Sequence, residues 1–305
     1  MTIRFDGKVA IVTGAGNGLG RSHALALAAR GAKVVVNDLG GDRSGAGASA
    51  TAAQKVVDEI IQNGGQAMAN AANVARPDEV DAMVAAALQK WGRVDVLVNN
   101  AGILRDKTFQ KMTLDEFRLV MEVHVMGSVH CSKAVWGAMR EQNYGRIVMT
   151  TSSSGLYGNF GQSNYGAAKM AVVGLMNTLH LEGEKYNIRV NALAPTAFTR
   201  MTSDIGIPEA ALALMTPESV TAGLLYLVSE DGPARTILCA GAGGYARTMI
   251  YETDGVFLPA DQQSPENVAA LFEKISAAEG QQLFLNGGEQ TTKFIGKAAK
   301  SLQTP

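Results

Sequence analysis

KVAIVTGAGNGLG, residues 8–20, is the stretch that decides the fold. Its first six residues form a short, β-rich apolar run of the kind buried on both faces of a parallel sheet. The run enters a turn with glycines at 14, 16, 18 and 20, and an apolar-periodic helix follows to Arg30-Gly31. A second apolar strand, residues 33–37, ends at Asp38. Glycines between a strand and a helix let the backbone approach a pyrophosphate at the positive end of that helix. Gly14, Asn17, Gly18, Leu19 and Gly20 are therefore candidate cofactor contacts. Asp38 stands 18 residues after Gly20. A carboxylate there accepts hydrogen bonds from an adenosine ribose and repels a phosphate on it, so the cofactor expected is NAD. The competing reading of Asp38 is a carboxylate that caps the glycine turn. Arg43, close by, is the residue that argues against a strict NAD preference.

Outward from this unit the alternation continues. After a Gly/Ser/Ala loop over 39–49, helices are expected at 52–63 and 77–91, with strands at 66–71 and 95–98. Thr113-Leu114-Asp115-Glu116 reads as a capping box opening a long helix towards Arg140. Further strands fall at 146–151, 188–193 and 235–240, with helices after Tyr165 and from Thr216-Pro217-Glu218. Seven strands alternating with helices imply an α/β fold: one Rossmann-like, doubly wound parallel sheet over residues 1–244. Residues 245–305 break the pattern. Asp254-Gly255 reads as the turn of a hairpin between 245–253 and 256–258. Ser264-Pro265 starts a helix with Val268, Leu271, Phe272 and Ile275 on one stripe, and a last helix spans 289–302 with Phe294, Ile295, Ala298 and Leu302 on one side. This C-terminal extension is too small for its own core, so it is expected to pack on the main body or on a neighbouring subunit.

The totals exclude several classes. The 305 residues are 47% hydrophobic and 18% charged, with net charge -1 and no basic block, so nucleic acid is not an expected partner. Cys131 and Cys239 have no metal-ligand spacing, and no metal is expected. Charges and glycines interrupt every apolar run before it reaches the length of a membrane span. MTIRFDGK enters the first strand without a hydrophobic leader, which points to the cytoplasm.

TTSSSGLYGNFGQSNYGAAK, residues 150–169, is the second informative stretch. A helix beginning near Ser163 would project Tyr165 and Lys169 from one face. Ser152, at the end of the preceding strand, could reach the same point. A hydroxyl, a phenol and an ammonium together suit proton transfer. A free phenol titrates near about 10, so a base at neutral pH needs its phenolate stabilised, and the Lys169 ammonium and the oxidised nicotinamide ring are the obvious sources.

Four signals now stand in order: TGAGNGLG from Thr13, NNAG from Asn99, Ser152, and Tyr165-Gly166-Ala167-Ala168-Lys169. The set closely resembles the short-chain dehydrogenase/reductase family over residues 6–244, and the 13-residue interval to Tyr165 selects Ser152 over Ser153 and Ser154. The resemblance implies that Tyr165 is the base, that Ser152 orients the substrate oxygen and that Lys169 also binds the nicotinamide ribose. It implies further cofactor contacts from Asn99, Ala101, Gly102 and Pro195. VNDLGGD from Val36, NYGRIVM from Asn143, SGLYGNFGQSNY from Ser154 and the tail are more narrowly similar to the dehydrogenase domain of peroxisomal type-2 multifunctional enzymes. Those domains oxidise (R)-3-hydroxyacyl-CoA thioesters with NAD. A hydroxysteroid or other bulky alcohol, a 3-oxoacyl reductase, and a catalytically silent NAD-binding regulator are the alternatives. Asn159 and Phe160 are expected to face the substrate, with residues 196–215 and the tail. The resemblance also implies a homodimer or homotetramer built on the helices 114–140 and 163–186.

Three positions depart from the family pattern. His124 stands where many members carry an Asn of a proton relay, and it is either a relay member or a core histidine bonded to a backbone carbonyl. Asn73-Val74 replaces the acid that often contacts adenine. Pro195-Thr196 replaces Pro-Gly. The chain ends in Gln303-Thr304-Pro305, which is not a peroxisomal address.

Overall fold

The computed structural model describes residues 2–42, 44–45, 47, 49, 51–197 and 213–301. Arg43, residues 198–212 of the expected substrate face and Leu302 of the last stripe lie outside the described residues. The chain divides into two compact units, Met1–Arg247 and Thr248–Pro305.

The first unit alternates strands and helices as its hydrophobic pattern requires. In order, these are β1 (Val9–Thr13), α1 (Gly18–Ala29), β2 (Lys33–Asn37), α2 (Thr51–Gln62), β3 (Gln66–Asn70), α3 (Pro77–Trp91) and β4 (Val96–Asn99). Then come α4 (Leu114–Met121), α5 (Gly127–Glu141), β5 (Gly145–Thr150), α6 (Ser153–Tyr157), α7 (Ser163–Gly183), β6 (Ile188–Thr196), α8 (Pro217–Leu227), β7 (Ile237–Gly241) and β8 (Gly244–Thr248). The sheet order is β3-β2-β1-β4-β5-β6-β7-β8. The register β1 makes with both neighbours, Val12 opposite Val36 and Val98, is parallel. Strand order therefore reverses between β1 and β4, the switch point beyond whose carboxyl ends open α/β sheets bind ligands.

Burial on both faces explains why the strands read as continuous apolar runs rather than alternating ones. One face carries α1, α2 and α8, with Leu27, Ile60 and Leu224 in its core. The other carries α3, α5 and α7, with Met83, Met139 and Met176. Arg146 of β5 is fully buried. Its guanidinium donates to the carbonyls of Gly145, Asn187, Ser229 and Glu230 and lies 4.2 Å from the Tyr144 ring centre. Those bonds offset the cost of burying its charge.

Two local features differ from expectation. The first is the eighth strand, which comes from residues assigned to the tail. Ala242 (φ 49) and Gly243 (φ 80) both take the left-handed conformation that a two-residue type I′ hairpin requires, so β8 folds back beside β7. No such hairpin forms around Asp254-Gly255, where Glu252 instead bridges antiparallel to Gln282. The second is the long helix from Thr113. Its capping box forms as expected, with Thr113 Oγ1 accepting from the Glu116 N–H at 3.2 Å and Glu116 Oε2 accepting from the Thr113 N–H at 3.0 Å. Between α4 and α5, however, Glu122–Met126 winds as a π-helix, and His124 sits within it. Such π-turns shift the helix face by one residue and recur at functional sites.

The second unit holds α9 (Pro265–Ala270), α10 (Phe272–Ile275) and α11 (Gly287–Ser301). The expected single helix from Ser264 is interrupted at Leu271. Ion pairs tie α11 to the preceding segment, Lys293 to Glu252 at 2.9 Å and Lys297 to Asp254 at 2.7 Å.

Candidate active site

The glycine turn closes on itself through contacts only glycine permits. A Cβ on Gly20 would lie 2.2 Å from the Gly14 carbonyl oxygen, and one on Gly14, whose φ is +63°, would lie 2.8 Å from Ala101 Cα. Asn100 locks the turn from β4, its Nδ2 donating to the carbonyls of Thr13 at 2.9 Å and Gly14 at 3.0 Å. Thr13 Oγ1 accepts from the N–H groups of Asn100 and Ala101 at 3.0 Å each.

A cleft opens above this turn. Gly14, Asn17, Gly18, Leu19, Gly20 and Asp38 line it from the first βαβ unit, and Asn73, Val74, Ala101 and Gly102 line it from the ends of β3 and β4. α1 begins at Gly18 in this turn, and the free N–H groups of a helix N-terminus suit a pyrophosphate. Asp38 Oδ2 accepts from the Gly16 N–H and Oδ1 from the Gly40 N–H, each at 2.7 Å. The carboxylate thus caps the turn, and each oxygen keeps a further lone pair for a ribose hydroxyl.

Asn99 does not line the cleft. Its side chain is buried on the other side of β4, with Nδ2 donating to Ser132 Oγ at 3.2 Å and reaching Met149 S at 3.3 Å. Side chains alternate along a strand, so the neighbour Asn100 faces the turn in its place. Ile103, Leu119 and Val123 also line the cleft and went unnoticed in the sequence. The i, i+4 spacing of Leu119 and Val123 was the available signal. Pro195 lies near the end of β6, outside that lining.

Tyr165 and Lys169 share one face of α7, which begins at Ser163. Lys169 Nζ lies 5.5 Å from the Tyr165 ring centre and donates to the Thr150 carbonyl at 2.6 Å. Thr151 Oγ1 donates to the Lys169 carbonyl at 2.6 Å, so two bonds pin α7 to the end of β5. Ser152 is the residue after that pin. It caps the short α6, its Oγ accepting from the Ser154 N–H at 3.2 Å, which leaves its own proton available. Ser152 is the neighbour whose hydrogen-bonding influence lowers the Tyr165 phenol. The fold thus brings Ser152, Tyr165 and Lys169 together.

Electrostatics in this pocket run against charge. Burial pushes the Tyr165 phenol up to about 12, against a smaller lowering by the Ser152 bond. Burial lowers the Lys169 ammonium to about 7. His124 is fully buried and lowered to about 3, first by desolvation and then by Lys169, so it is neutral. Its ring meets Tyr165 edge-on at 5.3 Å, and its Nε2 lies 2.8 Å from the Ile103 carbonyl oxygen. The ring also packs so closely on Gly102 that a Cβ there would lie 2.3 Å from Cε1. The backbone contact is one that a core histidine makes, while the buried Nδ1 has no hydrogen-bond partner.

Asn159 and Phe160 stand in the open loop between α6 and α7, with Phe160 89% exposed. Among the described residues, no group of three or more His, Cys, Asp or Glu could hold a metal, and no helix is long and apolar enough to cross a membrane.

The pattern of the family described as short chain dehydrogenase matches residues 8–209. The chain is 48% identical over 277 residues to a short-chain type dehydrogenase/reductase of Mycobacterium tuberculosis, covering 90% of this chain and 96% of that one. It is 46% identical over 276 residues to the mouse peroxisomal multifunctional enzyme type 2, covering 90% of this chain but only 37% of the mouse enzyme. A solved structure of a 7α-hydroxysteroid dehydrogenase, complexed with NADH and 7-oxo glycochenodeoxycholic acid, superposes with a TM-score of 0.71 at 34% identity. That match covers 79% of this chain and 95% of the solved one.

Proposed function

The chain belongs to the short-chain dehydrogenase family, and from its site we infer that this oxidoreductase uses NAD to interconvert a secondary alcohol and a ketone. The observation that carries the inference is the convergence of Ser152, Tyr165 and Lys169 beside a glycine-turned cleft that ends in Asp38. The substrate proposed is an (R)-3-hydroxyacyl-CoA, supported by the similarity to the multifunctional enzyme.

Bound NAD supplies the hydride acceptor and, when oxidised, a positively charged ring. The glycine turn and the N-terminus of α1 would hold the pyrophosphate, and Asp38 would hold the adenosine ribose and repel a phosphate on it. Ser152 donates to the alcohol oxygen and fixes its direction. Tyr165 takes the alcohol proton as the carbon–hydrogen bond is broken, and the Lys169 ammonium stabilises the phenolate. In the reverse direction the same phenol protonates the developing alkoxide. His124, being neutral, braces the Tyr165 ring and carries no charge to the reaction. Assembly as a homodimer or homotetramer belongs to the same proposal. Exposed Leu114, Met126 and Met170 on the helices concerned support it.

A hydroxysteroid is the second substrate reading, favoured by the likeness to the bile-acid-bound structure and by the open apolar residues Tyr157 and Phe160. NADH formation over (R)- and (S)-3-hydroxyacyl-CoAs, hydroxysteroids and simple alcohols separates the readings. Turnover of the (R) thioesters is the expected result. Oxidation of the steroids alone would refute the thioester assignment.

A further inference from the structure

Residues 103–107, between β4 and α4, form a strap bonded to His124, Ser44, α7 and the 157–162 loop. Ile103 bonds His124, Arg105 Nε donates to the Ser44 carbonyl at 2.7 Å, and the Arg105 carbonyl accepts from Asn164 Nδ2 at 3.0 Å. The Lys107 N–H donates to the Gly161 carbonyl at 2.9 Å. A side-chain bond between this strap and the 157–162 loop runs through Asp106. Its Oδ2 accepts from Gln162 Nε2 at 2.6 Å. Gln162 then gathers the loop with its other end: Oε1 accepts from Ser154 Oγ at 2.7 Å and from Asn159 Nδ2 at 3.1 Å. Ser154 is the residue whose N–H bonds Ser152 Oγ.

The loop needs such a fastening. Gly158 (φ 82) and Gly161 (φ 80) bracket Asn159 and Phe160 with left-handed backbone, and Tyr157 and Phe160 are 71% and 89% exposed. Little apolar packing holds them, so the polar bonds decide the position of the loop. Gln162 also sits just before α7, its carbonyl accepting from the Gly166 N–H at 2.7 Å. The charge-assisted bond from Asp106 fixes the rotamer of Gln162, and with it the direction in which Oε1 points.

We propose that Asp106 and Gln162 are paired positioning residues that hold the Tyr157–Gln162 loop against the substrate and keep Ser152 aimed. They set the affinity for the alcohol without entering the cofactor cleft. The proposal rests on the reading of Ser152 and Tyr165 as the reacting groups.

The test is a double-mutant cycle of Asp106→Ala, Gln162→Ala and the double variant, with Asp106→Asn as the conservative control. The first measurement is chymotrypsin cleavage after Tyr157 and Phe160, which needs no substrate. Each single variant should be cut roughly ten-fold faster than wild type and the double variant no faster still, because either change undoes the same bond. Asp106→Asn, whose carbonyl still accepts from Gln162, should be cut at the wild-type rate. The second measurement is steady-state kinetics with (R)-3-hydroxybutyryl-CoA. KM for the thioester should rise about five- to ten-fold in both single variants, with the same non-additivity, while KM for NAD stays within about two-fold. Unchanged cleavage, or additive effects in the double variant, would overturn the pairing. A wild-type enzyme inert towards the thioester would instead refute the substrate assignment, and the cleavage arm would still decide the present one.

Discussion

Replacing Lys169 by Met should make the protein more stable and inactive. Lys169 is 4% exposed, and burial lowers its ammonium from the usual 10.5 to about 7. The difference, 10.5 minus 7, is worth about 5 kcal/mol at about 1.36 kcal/mol per unit. The sign follows from linkage: between pH 7 and 10.5 the unfolded chain holds this proton and the folded one does not, so stability rises with pH across that window. The full cost is present below pH 7 and vanishes above 10.5. At about pH 6 the lysine therefore costs ~5 kcal/mol, and at about pH 9 it costs ~2 kcal/mol. Met keeps the length of the stem and carries no charge. It also leaves the Thr150 carbonyl without the Lys169 donor, a loss of about 1–3 kcal/mol that does not depend on pH. The net gain for Lys169→Met is about 2–4 kcal/mol at acid pH and close to zero at about pH 9. Urea unfolding of the cofactor-free protein, followed by the fluorescence of Trp91 and Trp136, measures both values at one protein concentration. A Met variant whose advantage is the same at the two pH values would refute the reasoning, because Lys169 would then hold its proton throughout.

Tyr165→Phe should lower kcat by at least about a thousand-fold and leave NADH affinity within about two-fold, read by single-turnover kinetics and NADH fluorescence. Substantial residual turnover would remove Tyr165 from the role of base. Asp38→Ala should weaken NAD binding, since the turn loses the acceptor for Gly16 and Gly40, and should reduce the preference for NAD over NADP by about ten-fold or more. An unchanged ratio of kcat/KM for the two cofactors would sink the Asp38 assignment. Gly20→Ala drives a methyl into the Gly14 carbonyl and the Asn100 amide, so NADH affinity should fall more than about ten-fold and stability by about 1–3 kcal/mol. Wild-type affinity in that variant would show that the turn is not the pyrophosphate seat.

Much of the fold was legible because parallel strands buried on both faces leave unmistakable apolar runs, as in Val34–Val36 and Ile147–Met149. What escaped was decided by single backbone angles or by tertiary contact. Ala242-Gly243 forms the hairpin because both residues accept a positive φ, yet Ala pays for that conformation and does not advertise it, whereas Asp254-Gly255 advertises a turn with no strand beside it to pair. The π-turn at Glu122–Met126 leaves no composition signal, so the helix from Thr113 read as unbroken. Arg146 opens the strand expected at 146–151, and it is buried under four carbonyls that only the folded chain assembles. Within the site, the placement of Tyr165 and Lys169 on one helix and of Ser152 after a strand end was legible, because helix periodicity and the strand end are local properties. Spacing does not say which of Asn99 and Asn100 faces the glycine turn, because the face a strand's last residue presents depends on where the sheet is packed.

The sequence reading divides the acidification of Tyr165 between Lys169 and the oxidised nicotinamide, and the burial of both side chains says why Lys169 alone would fall short. Each group alone is pushed towards its neutral form, the phenol to about 12 and the ammonium to about 7. A phenolate beside an ammonium is different, because each charge then supports the other and the pair titrates as a unit. At the 5.5 Å between Nζ and the ring centre, that attraction is about 3 kcal/mol for an effective dielectric constant of ~20, or about two pKa units. It would bring the phenol back towards its ordinary value, still some two or three units above neutrality. The remainder has to come from the Ser152 hydrogen bond and from a cation delivered with the cofactor. On the proposed reading of Tyr165 as the base, proton removal would be conditional on cofactor binding, because burial favours the protonated phenol in the empty pocket.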